Sequence, residues 1–112
     1  MKAGYHAVPE SGTTVPESGR ESILTEAQRL VHGDRNAAYG HPLDDFQRTA
    51  GMVSAMLAHK LKEPLTAEEV ILIMCQVKIS RQINKPKRDN MCDLAGYAEC
   101  EDWCIEERKE RG

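Results

Sequence analysis

The chain has 112 residues, 15 Lys and Arg against 18 Asp and Glu, and a formal net charge of −3. That length bounds it to one domain with a thin core that gains from oligomerisation, and an acidic balance (pI near 5.8) argues against a protein that grips nucleic acid through its whole surface. No run of about eighteen apolar residues occurs, so no membrane span is expected, and no N-terminal apolar segment marks a secretory signal.

Residues 1–21 read as a flexible, disordered arm. Pro, Gly, Ser, Thr and Glu dominate there, and the pentapeptide VPESG occurs twice, at Val8–Gly12 and Val15–Gly19. Such a composition cannot supply a packed core. A helical domain is expected over residues 22–108, with a charged tail at 109–112. The first helix is predicted from Ser22 to Val31, on the spacing of Ile23, Ala27, Leu30 and Val31. Gly33 is expected to end it, leaving HGDRNAAYGHP as an eleven-residue connection. Pro42 suits the start of a second helix, and Asp44 and Asp45 the positive end of its dipole. That helix is predicted over Leu43–Lys62, with Phe46, Ala50, Val53, Leu57 and Leu61 on one stripe, and Glu63-Pro64 stops it.

Thr66 and Glu69 form a capping box that opens the third helix, predicted over Ala67–Asn84. From Val70 to Ile79 this helix is apolar nearly all round, which predicts a central position. After Lys85-Pro86, a fourth helix is expected from Asp89 to Glu107. Four helices with short connections define an all-α, four-helix bundle-like domain. The four cysteines form no Cys-x-x-Cys pair and read as small buried residues with free thiols.

Two groups of residues carry candidate chemistry. The first runs from Lys78 to Asp93. On a helical wheel Lys78 and Arg81 emerge among apolar neighbours, while Asp89 and Asp93 lie one turn apart on the next helix with Tyr97 close to their row. Such charges are costly to bury unless paired. Lys78 and Asp93 form one structural interhelical salt bridge on one account. On the other, Lys78 and Arg81 bind a phosphate and the two aspartates hold Mg²⁺. The second group is Gly33-Asp34-Arg35…Tyr39-Gly40-His41-Pro42. Arg35 offers a phosphate fork, Tyr39 a stacking face and His41 a titratable donor, although a plain helix-to-helix turn accounts for the same residues.

The motifs Gly-Asp-Arg-x-x-x-Tyr-Gly-x-Pro and Lys-x-x-Arg…Asp-x-x-x-Asp-x-x-Gly-Tyr occur at Gly33–Pro42 and Lys78–Tyr97. Together they resemble a family of small bacteriophage and prophage proteins whose common domain is of unknown function, over about Ile23 to Trp103. A looser similarity points to the all-α, MazG-like nucleoside triphosphate pyrophosphohydrolases. That resemblance implies a Mg²⁺-dependent, oligomeric, nucleotide-hydrolysing protein. Its metal motifs, Glu-x-x-Glu on one helix and Glu-x-x-Asp on another, are not met by the first helix, which offers only Glu26, or by the third, which has Lys78 and Arg81 at that spacing, and Asp89 and Asp93 stand as the carboxylate pair at a different spacing.

Three functions follow as expectations. The first is a phage nucleotide-handling protein of the pyrophosphohydrolase type, acting in the host cytoplasm as a homo-oligomer. The second is a non-catalytic binder of a nucleotide or other phosphate-bearing small molecule. The third is a structural or protein-interaction module in which the charges form a buried network. None of the three involves a membrane or nucleic acid.

Overall fold

The computed structural model describes residues 20–112, and every regular element among them is helical. Most of the expected arm, with its duplicated pentapeptide, lies outside the described residues. The helices are α1 (Ile23–Arg29), a π-helical turn (Leu30–Asp34), α2 (Arg35–Tyr39), α3 (Pro42–Met56), α4 (Ala67–Asn84) and α5 (Arg88–Arg111). The first three elements run on without a break, so the chain forms four helical rods, an all-α arrangement.

Ser22 starts the first rod, its hydroxyl accepting from the Thr25 N–H at 3.1 Å. Gly33 does not end it. The Arg35 N–H donates to the Leu30 carbonyl, a five-residue step that fits one extra residue into the helix. The glycine, free of a Cβ, sits inside this turn. Helix then continues through most of the segment expected to be a loop, and stops at Gly40. There φ is +80° and ψ −166°, a conformation open essentially to glycine alone.

Helix α3 begins at Pro42 behind His41, whose Nδ1 accepts from the Leu43 N–H at 3.0 Å. It ends at Met56, six residues before the expected stop, and the chain tightens into turns at Leu57–Lys60. The Ser54 hydroxyl accepts from the Leu65 N–H at 2.8 Å, which ties the returning chain to the end of α3. The capping box of Thr66 and Glu69 forms as expected, and α4 has the predicted bounds. Gln82 organises the next corner: its Oε1 accepts from the Lys87 N–H at 2.9 Å and from the buried Asn90 side chain at 3.1 Å.

The central helix is α5, not α4. It packs against α1, α3 and α4, whereas α4 packs only against α3 and α5. The core is made of small residues, with Val31, Leu43, Ala67, Ile71, Cys100 and Cys104 at its centre and Phe46, Tyr97 and Trp103 packed around them. All four cysteines are free, and all but Cys75 are buried. Burial pushes the Cys100 thiol up to about 11 and the Cys104 thiol up to about 12, so both stay protonated at neutral pH.

The C-terminal turns do more than carry charge. Arg108 makes a two-pronged pair with Glu68, at 2.8 Å on both contacts, and Arg111 does the same with Asp44 at 2.7 and 3.0 Å. The end of α5 is thereby fastened to the first turns of α4 and α3. At the other end, Arg88 joins Glu26 of α1 at 2.6 Å and the Glu21 carbonyl at 2.7 Å. Among the described residues, no helix is long and apolar enough to cross a membrane.

Candidate functional site

A cleft of about 310 Å³ opens between the first rod, the start of α3 and the middle of α5. The packing that makes it is local. Gly96 carries no side chain, and a Cβ placed there would stand 3.5 Å from Val31 Cγ2. The absent side chain lets the first rod lie close to α5 and leaves space above the contact. Ala27, Leu30 and Val31 line the cleft on one side, and Cys92, Gly96 and Cys100 on the other.

Polar groups reach it from both motifs. Arg35, Asn36 and Tyr39 come from α2, Asp45 from α3, and Asp93 and Tyr97 from α5. The π turn matters here, because one extra residue rotates everything beyond it by about 100° around the helix axis. Arg35 and Tyr39 are exposed, with Tyr39 57% accessible, so both are free to meet a ligand at the rim. Phe46 meets the Tyr97 ring edge-on, with centroids 6.2 Å apart. Burial pushes the Tyr97 phenol up, and the nearby Lys78 ammonium opposes that shift. The phenol is therefore a donor at neutral pH.

Lys78 does not line the cleft. Its ammonium sits 2.8 Å from Asp93 Oδ2, and both side chains are largely buried, at 14% and 18% exposure. The pair joins α4 to α5 and fixes the Asp93 carboxylate at the cleft wall. Arg81 is exposed outside the cleft, one residue before Gln82, which turns toward α5. His41 also stands outside. Its Nδ1 caps α3, its Nε2 is buried 3.6 Å from Glu107 Oε1, and its ring lies 4.4 Å from Trp103. His32 also packs against Trp103, with centroids 4.2 Å apart, and meets Glu99 at 2.6 Å.

The expected metal pair does not fit a Mg²⁺ ion by itself. Asp93 already accepts an ammonium, and Asp89 is exposed in the first turn of α5. Among the described residues no three His, Cys, Asp or Glu side chains gather into a metal-binding cluster.

Sequence reasoning missed Asn36, Asp45 and Phe46. Asp45 was accounted for as a dipole partner, and Asn36 lay in a segment expected to be a loop. The spacing of Arg35, Asn36 and Tyr39, at i, i+1 and i+4, was the available signal that one helical face carries them.

Residues 22–104 match the family described as Domain of unknown function (DUF6378). The Gene 55 protein of Mycobacterium phage D29 is 42% identical over 88 residues, covering 78% of this chain and 56% of that protein. The Gene 55 protein of Mycobacterium phage L5 is 35% identical over 78 residues, covering 69% and 48% respectively. The chain thus spans about half the length of the curated relatives it matches. No solved structure matches it. The matched segment runs from the Ser22 cap through Cys104 and so takes in every residue that lines the cleft, and on that span the chain belongs to the DUF6378 family, with relatives in bacteriophages.

Proposed function

We propose that this domain binds a nucleotide-like small molecule carrying a single phosphate, without hydrolysing it. One observation carries the reading: residues from two motifs far apart in sequence, Arg35 and Tyr39 on one side and Asp93 and Tyr97 on the other, line the same cleft. Its volume of about 310 Å³ lies at the small end of ligand sites, which span about 300–1,000 Å³.

The charge balance supports one phosphate rather than three. Arg35 is the cation among the lining residues, and Asp45 and Asp93 are there beside it. A guanidinium matches one phosphate in two-pronged fashion. The carboxylates suit donors on the same ligand, such as sugar hydroxyls or a base amino group, and the Tyr39 ring offers a stacking face. A triphosphate would bring more negative charge than this set balances.

Mg²⁺-dependent pyrophosphohydrolysis of the MazG-like kind draws less support, because Lys78 occupies the carboxylate that a metal would need. A purely structural role explains the Lys78–Asp93 pair but not the open cleft beside it. A phage protein of the proposed kind would sequester a phosphorylated host metabolite in the host cytoplasm.

Thermal unfolding with nucleoside mono- and triphosphates, with and without EDTA, tests this. A monophosphate at a hundred times its dissociation constant should stabilise the domain by about 2.7 kcal/mol, equally in EDTA, and Arg35→Ala should abolish the shift. Pyrophosphate release from any triphosphate, or a shift that vanishes in EDTA, would replace this reading with the hydrolytic one. No shift with any nucleotide would remove both.

A further inference from the structure

Helix α4 is apolar over much of its circumference, yet α3 and α5 cover only one side of it. Ala67, Val70 and Ile71 are buried, while Leu72, Ile73 and Ile79 are 45–49% exposed and Ile83 80% exposed. At 3.6 residues per turn these four fall with Glu69, Gln76 and Ser80 in one arc of about 120°, with Gln76 at its middle. The four apolar side chains present about 400 Å² to water, more than a lone surface residue explains and half of the ~800 Å² that each partner gives to a standard interface.

We propose that this face is the surface on which two copies of the chain associate, α4 against α4, antiparallel about a two-fold axis at the level of Lys78. The order of residues along the stripe is self-complementary in that register. Ile73 meets Ile83 of the second copy, and Gln76 meets Ser80, amide to hydroxyl, so the polar pair at the centre fixes the alignment as a buried polar residue does in a coiled coil. The charges agree. Glu69 lies on the exposed stripe at the start of α4, and Lys85 and Lys87 are exposed just past its end. Antiparallel pairing brings Glu69 of each copy toward the Lys85–Lys87 end of the other, whereas parallel pairing sets like charges side by side. From Val70 to Val77 the helix carries no charge, so Arg81 and Lys85 of the second copy, which lie at the level of this stretch, meet no like charge in it. A two-fold interface needs one patch complementary to itself, and this stripe is one. Lys78 lies on the covered side of α4 against Asp93 of α5, and no α4 residue lines the cleft, so the cleft stays open in the dimer.

Sedimentation equilibrium of the full chain at micromolar concentration should give a dimer. Ile83→Glu, at a site exposed in the single copy, should give a folded monomer by far-ultraviolet circular dichroism. Mild oxidation tests the register, with the wild-type chain as the control for its native thiols. An Ile73→Cys/Ile83→Cys double variant should form covalent dimers, and Ile73→Cys alone should not. Its two thiols would lie about 15 Å apart along the axis, beyond the ~7 Å between Cα atoms that a disulfide spans. A monomeric wild-type chain, a dimer that survives Ile83→Glu, or cross-linking of Ile73→Cys alone would each overturn the proposal.

Discussion

Lys78 Nζ lies 2.8 Å from Asp93 Oδ2, across the interface between α4 and α5 and behind the wall of the cleft. Two largely buried charges in that position hold each other in place, and their net contribution to stability is small because both were drawn from water. Removing one partner is a different matter, since the other is then left buried and uncompensated.

Asp93→Ala is therefore expected to destabilise the domain by about 2 kcal/mol, below the ~3–5 kcal/mol of a fully buried pair because water still reaches both groups. The double variant Lys78→Met/Asp93→Leu should recover most of that loss. Urea unfolding of the two variants and the wild type gives the comparison directly. If the single and double variants lose equal stability, the pair is not the source of the effect.

The two cleft glycines should respond in opposite directions. At Gly40 the backbone has φ of +80°, and Gly40→Ala should cost about 1–3 kcal/mol through strain alone. At Gly96 a methyl group would meet Val31 at ordinary contact distance. Gly96→Ala should then raise stability by about 0.5–1 kcal/mol, because alanine loses less freedom in a helix, while narrowing the cleft. Melting curves of both variants check the signs, and ligand binding by Gly96→Ala reports the narrowing.

Acid should weaken the domain modestly through its arginine pairs, which are largely at the surface. The Arg108 guanidinium holds the Glu68 carboxyl below its ordinary 4.5, and Arg111 holds Asp44 below 3.8. A carboxyl depressed in the folded state contributes stability that is present above its ordinary value and is lost as pH falls through the folded one. Glu101 runs the other way. Burial pushes its carboxyl up, and Oε1 is buried without a partner. Glu101→Met should raise stability by about 1 kcal/mol at pH 7, relieving an unmet acceptor, with the gain shrinking as pH falls through the raised value. Arg108→Met should lower stability at pH 7 and flatten the loss below about pH 4.5. Denaturant titrations at several pH values separate the two.

Cys100 and Cys104 should resist thiol reagents in the folded protein at pH 8, because their pKa values of about 11 and 12 leave almost no thiolate. Both should react once urea unfolds the chain. Fast labelling of either under native conditions would mean that the core opens far more often than its packing implies.

How far the sequence revealed this site depends on the strength of each local signal. The bounds of α4 were legible because a capping box and a proline mark its ends without competition. The first rod was misjudged, since Gly33 resembles a helix stop and nothing in the local pattern announces a π turn. Of the candidate residues, Arg35, Tyr39, Asp93 and Tyr97 meet at the cleft. Arg81 does not, because a wheel shows direction around an axis and not which side of it a neighbour covers. His41 serves the backbone of α3, a demand set by the turn at Gly40. Asp45 escaped notice because a general electrostatic preference already explained it.

The five-residue turn at Leu30–Asp34 gives the DUF6378 domain an unusual genetic sensitivity. Loss of a single codon within it would restore a regular helix and swing Arg35 and Tyr39 a quarter of a circle away from α5, yet Ala27 and Val31 would keep their places in the core. Members of the family that are one residue shorter in this short stretch should retain the architecture and, if the proposed phosphate binding holds, lose it.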